Sequence, residues 1–215
     1  MNDTLRVGII GCGNITLKGH ARILRALDGV SVVAVADPTE SRREAVRDLL
    51  GLPSSACFAD HCRLLESGVD YVVLAAPPRF RCAIVVDCAR AGAHVLSEKP
   101  IAIAPADASA MIEAMQAAQL LFGMVHNYLF YPEYRLAREL IAVGAIGRLR
   151  HVTLNFLGVP DNPGAAEYRP LWRHDPAESG GGILMDMIHA IYVAEYLMGA
   201  PIRAVSAVVD NLDHP

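Results

Sequence analysis

The first 125 residues alternate short apolar runs with longer amphipathic stretches. Each run is rich in Val, Ile and Leu at consecutive positions, which is typical of a parallel strand buried on both faces. The predicted strands are 5–10, 30–36, 69–76, 93–98 and 120–125, and the predicted helices between them are 15–27, 40–50, 80–91 and 105–118. Repeated strand–helix–strand units predict an α/β fold with a doubly wound parallel sheet, the Rossmann arrangement.

The pattern changes after His126, where regular alternation of strands and helices stops. The predicted elements here are a helix over 132–143, a half-exposed strand over 149–158, a helix that follows Gly180–Gly182 and ends at Gly199, and a strand over 202–211. We therefore predict two domains, 1–125 and 126–215.

Composition excludes several classes of protein. The chain has 215 residues, 53% of them apolar and 20% charged, which is too apolar for a disordered protein. No apolar run approaches the ~20 residues of a membrane helix, and the N-terminus lacks the layout of a signal peptide. A net charge of −4 provides no basic field for nucleic acid. We expect neither a nucleic-acid nor a membrane partner.

The five cysteines include no C-x-x-C pair, a pattern that favours a reducing, cytoplasmic location over a disulfide framework. Cys57, His61 and Cys62 lie close together in sequence, so a zinc site is the alternative interpretation. A structural zinc site needs four ligands, usually in paired spacing, and no second pair lies nearby. We therefore expect no metal site.

A glycine-rich turn joins the first predicted strand to the first helix. Gly11 permits the tight turn, and Gly13 lets the backbone approach a pyrophosphate at the helix N-terminus. Thr16 stands at the third position of the motif, where Gly or Ala is usual, and is expected to crowd the helix–strand contact slightly. A plain turn is the alternative, but the flanking strand and helix favour a dinucleotide site.

The second predicted strand ends at Asp37, 21 residues after Thr16. A carboxylate here accepts hydrogen bonds from ribose hydroxyls and repels a 2′-phosphate, so NAD is predicted as the cofactor. NADP is the alternative, since Arg42 and Arg43 could accommodate that phosphate. A simple capping role for Asp37 is the other explanation.

Lys99 is one of only two lysines among 19 basic residues, the other being Lys18. It lies at the carboxyl end of a buried strand, where open α/β sheets bind ligands. Pro100 restricts the backbone of Lys99, and Glu98 could bond a nicotinamide ribose or pair with the ammonium. An ordinary surface lysine at a strand end is the alternative explanation.

These motifs, together with AAPPRFR at 75–81, AGAHVLSEKP at 91–100 and WRHDPAESGGGILMDMIH at 172–189, resemble the Gfo/Idh/MocA oxidoreductase family. The resemblance covers nearly the whole chain. It implies a Rossmann domain followed by an α+β domain with an open, mostly antiparallel sheet, and the second domain is expected to be incomplete in this chain. It also implies that Lys99, Asp186 and His189 are catalytic and that Trp172 and Arg173 lie near cofactor and substrate. The expected cofactor-binding set is Gly11, Gly13, Asn14, Ile15, Asp37, Pro77, Glu98, Lys99, Trp172 and Arg173.

Asp186 and His189 are three residues apart on an apolar helix, so they share one face. A carboxylate can orient the imidazole, and an imidazole exchanges protons near neutral pH. A satisfied core pair is the alternative. The family commonly spaces these residues by four, and it often has His where Arg81 stands. His126 and Asn127 follow the last Rossmann strand and are candidate substrate contacts, with an ordinary loop role as the alternative.

The expected function is hydride transfer between a nicotinamide cofactor and a sugar, polyol or related hydroxy or keto substrate. The alternatives are a non-catalytic dinucleotide-binding regulator, an inactive fragment, and reduction of a non-sugar carbonyl or imine. Family members continue beyond residue 215, so we expect a C-terminally truncated chain that is poorly soluble or partner-dependent alone. The full-length protein is expected to form a homo-oligomer through its C-terminal sheet.

Overall fold

The computed structural model describes residues 4–156, 171–181, 185 and 187–208. Its centre is a parallel sheet of six strands in the order β3-β2-β1-β4-β5-β6. The strands are β1 (Leu5–Ile10), β2 (Val30–Ala36), β3 (Cys57–Phe58), β4 (Tyr71–Leu74), β5 (His94–Ser97) and β6 (Phe122–Met124). This confirms the predicted Rossmann half.

Eight α-helices are described. They are α1 (Ala21–Ala26), α2 (Glu40–Leu50), α3 (His61–Leu65), α4 (Pro78–Ala91), α5 (Pro105–Ala117), α6 (Pro132–Ala142), α7 (Pro176–Ser179) and α8 (Ile188–Met198). A π-helical turn, Thr16–His20, leads into α1. No helix among the described residues is long and apolar enough to cross a bilayer.

Apolar side chains cover the sheet on both faces, as the continuous apolar runs predict. One buried cluster contains Val72, Leu74 and Val95 and packs against residues of α4 and α5. The other contains Val7 and Val35 and includes residues of α1 and α2. Chain order reverses between β1 and β4, so their carboxyl ends border the crevice in which such sheets bind ligands.

The sequence analysis missed β3 and α3. β3 has two residues at the sheet edge, too short for a pattern of burial to appear. α3 has five residues and begins after Asp60, whose side chain accepts from the N–H groups of Cys62 and Arg63. This capping signal was available in the sequence.

The two strands predicted after residue 143 are wrong over their described parts. Residues 149–156 and 202–208 contain no strand, and the remainder of each prediction lies outside the described residues. Burial does alternate over 151–156, and Val152 and Leu154 pack on a cluster built around Tyr192 and Val193 of α8. Alternation therefore predicts which side chains face the core, whereas a strand also needs a hydrogen-bonded neighbour. Residues 202–208 are exposed and do not supply one.

The helix predicted after Gly182 is present as α8. α8 starts at Ile188 and ends at Gly199, whose positive φ of 64° matches the expected glycine terminator. Met185 and Met187 have π-helical backbone. Asp186, the first member of the predicted catalytic pair, lies outside the described residues.

Candidate functional site

The glycine-rich turn shows two different uses of glycine. Gly11 has a φ of +97°, and a Cβ there would lie 2.6 Å from the carbonyl carbon of Ala75, just beyond β4. Among the described residues, no heavy atom outside its chain neighbours comes within 4 Å of a Cβ built on Gly13. Gly11 therefore permits strand-to-turn packing, whereas Gly13 faces open space.

Thr16 and Asn14 complete this turn. The Thr16 hydroxyl is buried and donates to the Gly11 carbonyl at 2.6 Å, so the unusual third residue holds the turn together. Asn14 has a buried Oδ1 that lacks a hydrogen-bond partner within the described part of the chain. A buried side-chain amide atom without a hydrogen-bond partner destabilises the fold. Which of the two amide atoms is oxygen and which is nitrogen follows from the groups around them. The turn therefore fits a polar group such as a dinucleotide pyrophosphate.

Asp37 is tied to this turn by one carboxylate oxygen and to its own loop by the other. Oδ2 accepts from the N–H of Cys12 at 2.8 Å, and Oδ1 accepts from the N–H of Thr39 at 2.8 Å. The guanidinium of Arg43 donates to the Asp37 carbonyl. Asp37 is not the N-cap of α2, which is Thr39; its carboxylate instead joins the glycine-rich turn to the loop after β2.

Glu98 follows β5 and is only 8% exposed. Its Oε1 lies 2.8 Å from Nε2 of His20, and its Oε2 accepts from the N–H of Lys99 at 3.1 Å. Burial acts to raise the pKa of Glu98, but the hydrogen bond and charge of His20, with the Lys99 N–H and Arg81, outweigh it and hold the pKa below its ordinary value. The Glu98 carboxylate is therefore paired with His20 and held in place beside Lys99.

Arg81 is a buried cation that holds the loop after β5. Its Nε donates to the Ala76 carbonyl at 2.8 Å, and its Nη1 donates to the carbonyls of Glu98 and Pro100. Burial lowers the pKa of Arg81 to about 10. The peptide bond between Lys99 and Pro100 is cis. The residue that departs from the family pattern thus supports the backbone on both sides of Lys99.

Lys99 connects the Rossmann half to the segment before α8. Its ammonium donates a hydrogen bond to the backbone carbonyl of Met185. Met185 as a residue is only 5% exposed. Lys99 therefore lies at the carboxyl edge of the sheet and within reach of the second predicted motif.

His189 lies on α8 in a cluster of rings. Its Nδ1 hydrogen-bonds the hydroxyl of Tyr192, and its ring stacks on Tyr128 with 4.1 Å between centroids. Tyr192 in turn stacks on His126 at 4.2 Å. Burial lowers the pKa of His126 from its ordinary value. The structure thus brings His126 and His189 together through Tyr192, while Asn127 is exposed.

The other predicted residues lie in three short segments. Ile15 is exposed at the start of the turn, and Pro77 immediately precedes α4. Trp172 and Arg173 are half-buried in a short 3-10 turn, Leu171–His174, that precedes α7. α7 lies against α4, and Arg79 pairs with Glu178 between them.

The cysteine-rich segment does not assemble the set considered for zinc. Cys57 is on β3 and lies 3.8 Å from the Pro53 carbonyl, whereas Cys62 is beside His61. His61 pairs with Asp87 at 2.9 Å, and Asp60 caps α3. Asp60, His61 and Cys62 place one ligand atom each within 4.8 Å of one another.

The sequence did not identify three residues that hold other site residues in place: His20, Arg81 and Tyr192. Tyr192 follows His189 by three residues on the same helix, so the spacing could have identified it. His20 and Arg81 carry no such signal, because their partners are distant in sequence.

Two family models match the chain. The model described as "Oxidoreductase family, NAD-binding Rossmann fold" matches residues 5–126, and the model "GFO/IDH/MocA C-terminal domain" matches residues 134–215. Both belong to the same family, and together they account for the two halves of the chain.

Curated proteins and solved structures agree with these models. The myo-inositol 2-dehydrogenase of Thermotoga maritima is 31% identical over 205 residues, covering 94% of this chain and 58% of that protein. A dTDP-3,4-didehydro-2,6-dideoxy-α-D-glucose 3-reductase of Streptomyces violaceoruber is 29% identical, covering 95% and 58%. The WlbA dehydrogenase of Bordetella pertussis, solved with NADH and UDP-GlcNAcA, is 26% identical with a TM-score of 0.81, covering 90% and 55%. The chain thus spans little more than half the length of these proteins.

Proposed function

Since this chain belongs to the Gfo/Idh/MocA oxidoreductase family, we propose that the whole protein transfers a hydride between a nicotinamide dinucleotide and a sugar, polyol or related hydroxy or keto compound. The observation that carries this proposal is the position of Lys99, held at the carboxyl edge of the sheet and in contact with the segment before α8. The similar proteins include an inositol dehydrogenase and a reductase of a nucleotide-linked sugar, which supports this substrate class.

The turn residues Gly11, Gly13, Asn14 and Ile15 would hold the pyrophosphate, and Asp37 the adenosine ribose. Pro77, Glu98, Trp172 and Arg173 would complete the cofactor site. When bound, the nicotinamide accepts or donates the hydride. NAD is the proposed cofactor, because the Asp37 carboxylate opposes a 2′-phosphate. NADP is the alternative, supported by the Arg43 guanidinium at the Asp37 carbonyl.

Lys99 and the α8 residues would act on the substrate oxygen. The Lys99 ammonium stabilises a developing alkoxide, and Lys99 or His189 exchanges the hydroxyl proton. Asp186 is proposed as the third catalytic residue, and His126 and Asn127 would contact the substrate. We propose 1–125 and 126–215 as the two functional units.

The test is a panel of inositols, aldoses and nucleotide sugars assayed with each cofactor, followed by the absorbance of reduced nicotinamide. Turnover of at least one member, with a preference for NAD, is expected. Tight NADH binding without turnover across the panel would instead favour a non-catalytic dinucleotide-binding regulator. The shortened Asp186–His189 spacing is the observation that favours this second candidate.

We also propose that the second domain of the full-length protein contains an open, mostly antiparallel sheet, through which the protein forms a homo-oligomer. The alternating burial over 151–156 supports this, since one face already packs on α8. Light scattering of the full-length protein tests it, and a monomer at micromolar concentration would contradict it. The free cysteines and the net charge of −4 support a cytoplasmic protein without nucleic-acid partners.

A further inference from the structure

His189 and Tyr192 share one face of α8 and meet through their polar atoms. Both side chains are buried, with exposed fractions of 8% and 7%. Tyr128 stacks on the His189 ring with 13° between the planes, and Tyr192 meets that ring edge-on. The imidazole is therefore held on one face by Tyr128 and at Nδ1 by the Tyr192 hydroxyl.

The direction of the hydrogen bond follows from the groups around the Tyr192 oxygen. A tyrosine hydroxyl has one proton to donate and two lone pairs that accept. The backbone N–H of Tyr128 donates to Oη at 3.4 Å, which uses a lone pair. Burial raises the pKa of Tyr192 to about 12, so the hydroxyl keeps its proton at neutral pH. Across the described parts of the chain, the acceptor that meets this proton is Nδ1 of His189.

The opposite arrangement satisfies fewer groups. If Nδ1 carried the proton, it and the Tyr128 N–H would both donate to the Tyr192 oxygen. Nδ1 could then no longer accept the hydroxyl proton, which would point into buried surroundings. A buried polar group left unpaired is destabilising.

We propose that Tyr192 is a positioning residue that holds His189 in the tautomer protonated at Nε2. Which ring nitrogen carries the proton is set by the bond the other nitrogen makes. Neutral His189 then presents an N–H donor, and not a lone pair, at the nitrogen remote from Tyr192.

The consequence for catalysis rests on the proposed function. In the direction of reduction, hydride from the nicotinamide adds to the carbonyl carbon, and the π electron pair moves to the oxygen. His189 Nε2–H donates a hydrogen bond to that oxygen, and the Lys99 ammonium transfers a proton to it and becomes a neutral amine. Oxidation follows the same steps in reverse. Proton transfer is thereby assigned to Lys99, and His189 orients the oxygen.

Nitrogen-15 NMR of the histidine-labelled chain at mildly alkaline pH tests the tautomer directly, with the His189 signals assigned through His189→Gln. We expect an unprotonated Nδ1 and a protonated Nε2 in the wild type, and a mixture of tautomers in Tyr192→Phe. Tyr196→Phe, which removes a hydroxyl from the same helix, should leave the spectrum of His189 unchanged. A protonated Nδ1 in the wild type overturns the proposal even if Tyr192→Phe fails to fold, and so does an unchanged tautomer in a folded Tyr192→Phe.

Kinetics supply the second readout. Tyr192→Phe should lower kcat at least ~10-fold, part of the ~100-fold or more that an aligned hydrogen-bond donor to a developing alkoxide contributes, with KM nearly unchanged. A kcat equal to that of Tyr196→Phe contradicts the positioning role. Absence of turnover in the wild type would instead contradict the proposed function, while the spectrum would still decide the tautomer.

Discussion

The side-chain ammonium of Lys99 donates a hydrogen bond to the backbone carbonyl of Met185. Lys99 follows β5 at the carboxyl edge of the sheet, and Met185 lies four residues before His189. One cation therefore ties the dinucleotide-binding half of the chain to the segment that leads into α8. Its partner is a carbonyl oxygen, the same kind of acceptor that a keto substrate offers.

Replacing Lys99 with Met keeps much of the side-chain length and removes the charge. We expect Lys99→Met to lower kcat by roughly 100-fold or more, because it removes the group proposed to stabilise and protonate the substrate oxygen. NADH affinity, measured by fluorescence titration, should change little. Lys18→Met is the matched control, since Lys18 is the other lysine and is exposed. Equal turnover in the two variants would rule out a catalytic role for Lys99.

The two glycines of the turn should respond differently to alanine. Gly11→Ala adds a methyl group 2.6 Å from the Ala75 carbonyl carbon at a φ of +97°, so we expect a strongly lowered melting temperature or no folded protein. Gly13→Ala meets no described atom within 4 Å and should fold normally. It should nevertheless weaken NADH binding, because the methyl group occupies the approach of the pyrophosphate. Thermal melts and fluorescence titrations separate the two effects, and unaltered NADH affinity in Gly13→Ala would place the pyrophosphate elsewhere.

The pairing of Glu98 with His20 predicts a pH-dependent stability. The pKa of Glu98 is held below its ordinary value of 4.5, so its ionised form stabilises the folded state above that pH. The contribution falls as the pH drops through the ordinary value and is lost below the folded-state pKa. We expect Glu98→Gln to lower the free energy of unfolding by about 1.5–3 kcal/mol at neutral pH and by progressively less as the pH falls below 4.5.

Urea denaturation at several pH values measures this difference. Glu44→Gln is the control, since the Glu44 carboxylate is 52% exposed beside Arg47 and should change stability by less than about 0.5 kcal/mol. A Glu98→Gln effect that stays constant from neutral to acid pH would show that its charge does not contribute.

The Rossmann half could be predicted closely because its signals are local. The bounds of β1 and β2 match the apolar runs 5–10 and 30–36, since a strand buried on both faces leaves a continuous apolar run in the sequence. Gly11 and Asp37 were likewise found from their positions at strand ends. The two-residue β3 left no such pattern.

The support around Lys99 could not be predicted, because it depends on contacts between distant residues. His20 meets Glu98 across 78 residues of sequence, and Arg81 reaches Pro100 across 19. In the second half, the alternation over 151–156 did predict which side chains pack, but strand formation depends on a neighbouring backbone that a single segment does not encode.

Arg81 offers the sharpest test of how Lys99 is held. Its buried guanidinium donates to the carbonyls of Ala76, Glu98 and Pro100, a fork that one ammonium cannot reproduce. We expect Arg81→Lys to destabilise the fold by roughly 1–3 kcal/mol, because buried carbonyls lose their donors, and to lower kcat through displacement of Lys99. Arg90→Lys is the matched control on the same helix, where the Arg90 side chain is 75% exposed, and it should alter neither quantity. Chemical denaturation measures the stability of both variants, and steady-state kinetics measures their kcat. A stable Arg81→Lys with unchanged kcat would mean that the loop after β5 keeps Lys99 in place without this guanidinium.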